Sequence, residues 1–165
     1  MTLAAPLGGE PQPPSPAGPE GGPRAQGTVC ARILLVEDEA LVALEMEAIL
    51  ENVGHSVVGT VDTTAGAVTL ARALKPDLAL VDVRLAHGDS GLDVASELAP
   101  LGIPVLFVTG NFPGEQTDRL ALGCLHKPFG ERQLVESVAA VMAIARGGAA
   151  PGRLPMGLHL FRRAS

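Results

Sequence analysis

Between residues 31 and 146, short runs of continuous aliphatic residues alternate with longer segments of helical periodicity, and this alternation restricts the possible fold most strongly. A run that is apolar at every position has no polar face, so it is typical of a strand that helices cover on both sides. Regular alternation of strand and helix predicts parallel strands joined by right-handed crossovers. The predicted strands are residues 32–36, 56–60, 78–81, 104–108 and 124–126.

Glycine and proline residues mark the ends of these segments. Gly54 stands where the first helix is expected to end, Pro76 follows the second helix, and Pro104 can only open a strand. The sequence therefore predicts an α/β fold of five strand and helix units, (βα)5, with a doubly wound parallel sheet. The predicted helices are residues 40–53, 63–74, 90–98, 116–120 and 131–146.

The two ends of the chain differ in composition from this central domain. Residues 1–28 hold seven of the 14 prolines and almost no large apolar side chain, so they predict a disordered leader rich in proline and glycine. Residues 147–165 begin with glycine and proline and carry three arginines, which predicts a short, flexible, basic tail. The tail is too short for an output domain, so we expect one domain at residues 31–146.

Charge and composition exclude several classes of function. A net charge of -6 and an aromatic content of 2% disfavour direct binding to nucleic acid, which needs positive charge and stacking side chains. No apolar run approaches the roughly 20 residues that cross a bilayer. Cys30 and Cys124 are too few for a disulfide framework or a zinc site. We therefore expect a soluble, cytoplasmic protein without a membrane span.

Acidic residues follow two of the predicted strands. Glu37, Asp38 and Glu39 come directly after the first strand, and Asp82 follows four apolar residues at the end of the third strand. Taken alone, the first group could complement the dipole of the following helix, and Asp82 could be an ordinary strand-ending residue. A divalent cation between the carboxylates is the alternative, because it relieves their mutual repulsion.

A hydroxyl group and an ammonium group follow two further predicted strands. Thr109 ends the fourth strand, and Lys127 follows the fifth. Because the carboxyl ends of parallel strands meet at one edge of the sheet, these residues and the acids predict one pocket. Carboxylates suit Mg²⁺, and a hydroxyl with an ammonium suits the oxygens of a transferred phosphoryl group. In this interpretation Asp82 is the nucleophile that forms an aspartyl phosphate.

The motifs LLVEDE, LALVDV, FVTG and HKPF resemble those of response-regulator receiver domains, the CheY-like members of the flavodoxin-like fold, over residues 31–146. The resemblance implies strand order 2-1-3-4-5, with Asp82 as the phospho-acceptor. It also implies that Mg²⁺ is bound by Asp38, Asp82 and the backbone carbonyl of Arg84, while Glu37 acts through water. The phosphoryl donor would be a sensor histidine kinase or a histidine phosphotransfer protein, and the signal would pass by contact to an unknown downstream protein.

The chain departs from typical receivers at the position of Cys124, where they carry a mobile aromatic residue. Together with LFVTGN, this departure resembles the single-domain receivers known as the FAT GUY group, although Val108 and Asn111 differ from that motif. Phe112 could supply the missing aromatic side chain, or it could simply pack its own loop. Both interpretations remain open.

Three functions are consistent with this pattern. The first is a stand-alone response regulator, with no enzymatic activity beyond its own phosphorylation and dephosphorylation. The second is a pseudo-receiver, an interaction module that works without phosphorylation. The third is a phosphatase related to the haloacid dehalogenases, which needs a second acid two residues after its nucleophile, where Arg84 stands.

Overall fold

The computed structural model describes residues 30–161, except residues 112, 113, 115, 116 and 118 and the side chain of His87. Within these residues, a helix follows each of the first three strands and the fifth, as the aliphatic runs predict, but the described residues between the fourth and fifth strands form no α-helix. The strands are β1 (Arg32–Val36), β2 (Ser56–Val61), β3 (Leu78–Val81), β4 (Val105–Thr109), β5 (Gly123–His126) and β6 (Leu158–Leu160). The helices are α1 (Ala40–Asn52), α2 (Thr64–Leu74), α3 (Gly91–Leu98) and α4 (Glu131–Ala145).

One sheet with the strand order β2-β1-β3-β4-β5-β6 forms the centre of the domain. The first five strands are parallel, which confirms the predicted order 2-1-3-4-5. Every residue of β3 and β4 is buried, as expected for strands that are covered on both faces. Helices α1 and α4 pack on one face of the sheet, and α2 and α3 pack on the other.

Local capping fixes where two of the helices begin. The Thr63 side chain accepts a hydrogen bond from Gly66 N–H at 3.2 Å at the start of α2, and the Ser90 side chain accepts one from Leu92 N–H at 3.1 Å at the start of α3. Gly54, at a φ of 90°, ends α1 in the left-handed conformation that glycine adopts without strain. These caps place the loops that follow β2 and β3.

The prediction of a flexible tail was wrong for residues 158–160, which form β6. This strand pairs antiparallel with β5, so the sheet is mixed and has six strands. Burial of Leu158, which is only 5% exposed, stabilises this strand against the core. The sequence does not predict this strand, because a segment of three residues that follows glycines and prolines is too short to show a strand periodicity.

Other sequence predictions fall outside the described part of the chain. The leader at residues 1–28 and the side chain of Phe112 lie there, as do residues 116 and 118 of the predicted fourth helix. Among the described helices, none combines the length and the hydropathy needed to span a bilayer.

Candidate functional site

The polar side chains that the sequence places at strand ends meet at the carboxyl edge of the sheet. Backbone hydrogen bonds continue beyond the strands: Asp82 N–H donates to Val36 O at 2.8 Å, and Lys127 N–H donates to Thr109 O at 3.0 Å. These bonds hold the residues after β1, β3, β4 and β5 side by side. The Lys127–Pro128 peptide bond, which leads out of this edge, is cis.

The ammonium group of Lys127 joins two buried carboxylates. Its Nζ lies 2.7 Å from Glu37 Oε2 and 2.8 Å from Asp82 Oδ2, and Glu39 Oε1 lies 3.8 Å away. The exposed fraction of the side chain is 0% for Glu37, 8% for Asp82 and 16% for Lys127. The structure therefore brings Glu37, Asp82 and Lys127 into one ion cluster, with Glu39 at its rim.

Backbone N–H groups satisfy the remaining oxygens of this cluster. Arg84 N–H donates to Asp82 Oδ1 at 3.0 Å, and Glu39 N–H donates to Glu37 Oε1 at 3.2 Å. Thr109 is buried beside the cluster, and its Oγ1 accepts a long hydrogen bond of 3.4 Å from Asn111 N–H. Both carboxylates are thus held by a lysine on one oxygen and by a main-chain donor on the other, which fixes their orientation.

The loop after Asp82 passes very close to that residue because Gly91 has no side chain. A Cβ atom at position 91 would lie only 2.1 Å from the carbonyl oxygen of Asp82. Gly91 N–H donates to Val83 O at 3.0 Å, which closes the loop on itself. Glycine is therefore required at the start of α3 for this close approach.

Burial and pairing shift the pKa values of two members of the cluster. Burial raises the pKa of Glu37 above its usual value, even though the hydrogen bond and charge of Lys127 act in the opposite direction. Burial alone would lower the pKa of Lys127, but hydrogen bonds to Asp82 and Glu37 outweigh this effect and raise it. Lys127 consequently remains a cation at neutral pH.

Three carboxylates could together hold a metal ion. Glu37, Glu39 and Asp82 each offer one oxygen, and these oxygens lie within 4.8 Å of one another. Carboxylates are the ligands that Mg²⁺ prefers, so the donor set fits this ion. Three carboxylates and one ammonium leave a formal charge of -2, which a divalent cation would balance.

The structure separates the acids that the sequence groups together. Asp38 lies outside the group of three and Glu39, which was not among the predicted ligands, belongs to it, although both residues are exposed. The signal for Glu39 was its position in the run of three successive acids, but a linear run does not show which exposed carboxylate lies beside the cluster. Arg84 lies beside Asp82 through its backbone N–H.

Cys124 is a buried, protonated thiol. Burial raises its pKa to about 11, and the charge of Asp82 contributes in the same direction. Because the thiolate is the reactive form, this environment makes the side chain inert. Cys124 therefore acts as a small apolar residue beneath the site.

The chain is similar to proteins of known family. The family model described as response regulator receiver domain matches residues 33–139. The phyllosphere-induced regulator PhyR of Methylorubrum extorquens is 40% identical over 92 residues, which cover 54% of this chain and 34% of PhyR. The transcriptional regulatory protein PdtaR of Mycobacterium tuberculosis is 33% identical over 127 residues, which cover 74% of this chain and 60% of PdtaR. The chain thus spans less than two thirds of these two relatives.

Another relative and two solved structures are also similar to this chain. The protein PilH of Pseudomonas aeruginosa is 33% identical over 123 residues, which cover 68% of this chain and 98% of PilH. The response regulator PhyR from Brucella abortus superposes with a TM-score of 0.65 at 32% identity, covering 72% of this chain and 50% of PhyR. The signal receiver domain of a modulated diguanylate cyclase from Desulfovibrio desulfuricans G20 superposes with a TM-score of 0.64 at 31% identity, covering 71% and 97% of the two chains.

Proposed function

The chain belongs to the response regulator receiver domain family, and on this premise we propose that it accepts a phosphoryl group on Asp82 and signals by contact with another protein. The donor in this proposal is the phosphohistidine of a sensor histidine kinase or of a histidine phosphotransfer protein. The observation that carries the proposal is the buried carboxylate of Asp82 at a strand end, with the Lys127 ammonium at 2.8 Å. The chain itself would turn over no external substrate.

In the proposed reaction a carboxylate oxygen of Asp82 attacks the phosphorus atom. The new O–P bond forms while the P–N bond to the donor imidazole breaks, and the imidazole leaves with the electron pair of that bond and takes up a proton. Arg84 N–H and Lys127 Nζ orient the two oxygens of Asp82 before the attack.

Lys127 and Thr109 would stabilise the transferred group. Lys127 is charged at neutral pH because its hydrogen bonds to Asp82 and Glu37 raise its pKa, so it can balance the charge that develops on the phosphoryl oxygens. Thr109 uses its hydroxyl oxygen to accept from Asn111 N–H, which leaves the hydroxyl proton for a phosphoryl oxygen.

Mg²⁺ is part of the proposal because the donor set fits it. Glu37, Glu39 and Asp82 would hold the ion, and the resemblance to receivers adds Asp38 and the carbonyl of Arg84. The bound ion would supply positive charge to the phosphoryl oxygens. Glu37 is buried and is also paired with Lys127, whose Nζ lies 2.7 Å from Glu37 Oε2.

A second candidate is the phosphorylation-independent interaction module. Two observations favour it: Lys127 already pairs with both buried carboxylates, and Asp38 is exposed and lies outside the cluster. Such a module would keep the fold and the ion cluster for stability alone.

Incubation with Mg²⁺ and acetyl phosphate, followed by intact mass measurement, distinguishes the two candidates. We expect a labile adduct of one phosphoryl group on the wild type and none on Asp82→Asn. Asp62→Asn is the matched control, because Asp62 also follows a strand but is exposed. An unmodified wild type would refute phosphorylation and support the interaction module.

The proposal includes a protein partner and a cytoplasmic location. A relative from Bartonella quintana is described as the anti-anti-sigma factor PhyR, so a protein target has a precedent in that relative. The two cysteines, Cys30 and Cys124, are free thiols, which suits a reducing compartment.

A further inference from the structure

The strand β6 covers an edge of the sheet that β5 would otherwise expose. Its three residues pair antiparallel with β5, and two further hydrogen bonds extend the ladder. His126 N–H donates to Gly157 O at 3.0 Å, and Phe161 N–H donates to Leu122 O at 2.9 Å. The backbone groups of β5 that face outward are therefore satisfied by the chain's own C-terminal segment.

The edge of β5 fits an extended segment with two aliphatic side chains on one face. Leu158 is buried in the core cluster of α1 and α4, and Leu160 packs against that cluster. A Cβ atom at Gly123 would lie 2.5 Å from His159 O, and its other near neighbours are atoms of Leu160. Gly123 thus permits an unusually close approach, and any larger residue there would push β6 away.

The same edge is linked to the phosphorylation site. Thr109 of β4 pairs with His126 of β5, and Lys127 N–H donates to Thr109 O at 3.0 Å. His126 in turn holds Gly157 O through its own N–H, and its ring packs edge-on against that of His159. The lysine of the site therefore directly follows the residue whose N–H anchors β6.

The segment that leads to β6, residues 147–157, is mostly exposed. Its side chains include Met156, which is 80% exposed, and Gln133 Nε2 donates to Met156 O at 3.1 Å. A strand of three residues is shorter than the usual five or six. Because β6 is tethered to the domain, its effective concentration at the edge of β5 is on the order of millimolar, which favours it over a segment of another molecule.

We propose that the edge of β5 is a binding surface for an extended partner segment with two aliphatic residues separated by one, and that β6 covers this surface until Asp82 is phosphorylated. This inference rests on the proposed function. The partner segment would reproduce the contacts of Leu158 and Leu160 in the same antiparallel register.

In this proposal, phosphorylation of Asp82 weakens the pairing of β6 with β5. A phosphoryl group adds about two negative charges and three acceptor oxygens beyond the carboxylate of Asp82. Lys127, which now lies between Glu37 and Asp82, is drawn towards these oxygens, and its backbone moves with it. The displacement reaches His126 and its hydrogen bond to Gly157, so the short strand loses its anchor.

Binding of a labelled peptide with the sequence of residues 154–161 to the full-length protein tests this inference. Beryllofluoride with Mg²⁺ serves as the mimic of the phosphoryl group, and fluorine NMR reports whether the adduct forms on Asp82. We expect the adduct to increase the affinity of the wild type for the peptide about tenfold or more, because the tethered competitor is released. Asp82→Asn should show no change.

Full-length variants test the surface itself. The double variant Leu158→Ser/Leu160→Ser should bind the peptide without beryllofluoride, since its own strand no longer docks. Adding Gly123→Ala should abolish that binding, because the new Cβ collides with any strand in this register. Gly152→Ala, added to the same double variant, is the matched control: a Cβ there meets no atom within 4 Å, so this triple variant should still bind the peptide.

The outcomes separate the inference from the proposed function. If the adduct forms and the affinity of the wild type for the peptide does not change, the inference is refuted and the proposed function stands. If no adduct forms, the proposed function fails and the release by Asp82 fails with it. The comparison of the wild type with and without beryllofluoride tests the inference even if the serine variant does not fold.

Discussion

Replacing Lys127 with methionine should cost this domain a large part of its stability. The substitution keeps most of the side-chain volume but leaves the carboxylates of Glu37 and Asp82 buried without a cation. Their oxygens lie within 4.8 Å of each other. At an effective dielectric constant of about 20, two negative charges at that distance repel each other by about 3.5 kcal/mol. Removing one partner from a buried ion cluster typically costs about 3–5 kcal/mol, so both arguments give the same magnitude.

Urea unfolding, followed by circular dichroism at neutral pH without added metal, measures this loss. Lys127→Met should lower the free energy of unfolding by about 3–5 kcal/mol. Lys75→Met makes the same substitution at the other lysine of the chain, which is exposed, and should change the free energy by less than about 0.5 kcal/mol.

A double variant identifies the cause of the loss. Glu37→Gln/Lys127→Met removes one of the two facing charges, so it should recover about 2 kcal/mol relative to Lys127→Met alone. A loss below about 1 kcal/mol in Lys127→Met, with no recovery in the double variant, would refute the argument that the ammonium holds the two acids together.

Three further predictions follow from single positions. Gly91→Ala should lower the free energy of unfolding by about 1–3 kcal/mol, because the new Cβ collides with a carbonyl oxygen. Urea unfolding measures this loss. Gly110→Ala is the control and should have little effect, because its Cβ would meet no atom within 4 Å. Ellman's reagent at pH 8 should titrate Cys30 at once and Cys124 only after unfolding, because the latter is buried with a pKa of about 11; rapid reaction of both thiols would contradict this. Burial lowers the pKa of His55 in the folded state, so its contribution to stability is complete above the unfolded pKa of about 6.5 and is lost as the pH falls below it. Thermal unfolding between pH 8 and 5 should therefore show a smaller decrease in His55→Gln than in the wild type, and equal decreases would contradict the assignment.

The sequence predicts a parallel sheet and the meeting of Asp82, Glu37 and Lys127 at one edge for one physical reason, whereas the strand order comes from the resemblance to receiver domains. Parallel strands that are apolar on both faces must be covered on both faces, and their carboxyl ends then lie along one edge. Residues directly after such strands have little freedom to lie elsewhere. The hydrogen bonds from Asp82 N–H to Val36 O and from Lys127 N–H to Thr109 O show this constraint in the structure.

The features that the sequence does not predict depend on contacts between distant residues. Glu39 faces the cluster and Asp38 does not, because the loop turns so that Glu39 N–H reaches the Glu37 carboxylate. The strand β6 exists because Gly123, far away in the chain, leaves room for its backbone. A run of acids does not show which of them lies at the cluster, and a three-residue apolar segment does not show that it pairs with a distant strand.

The close approach at Gly123 also has a consequence for the evolution of this lineage. The C-terminal strand constrains side-chain size at this position, since the three nearest neighbours of a Cβ there all belong to His159 and Leu160. Homologues that lack such a strand should accept alanine, valine or isoleucine at the equivalent site. Across an alignment of orthologues, the glycine and the terminal Leu-x-Leu triplet should therefore be gained and lost together.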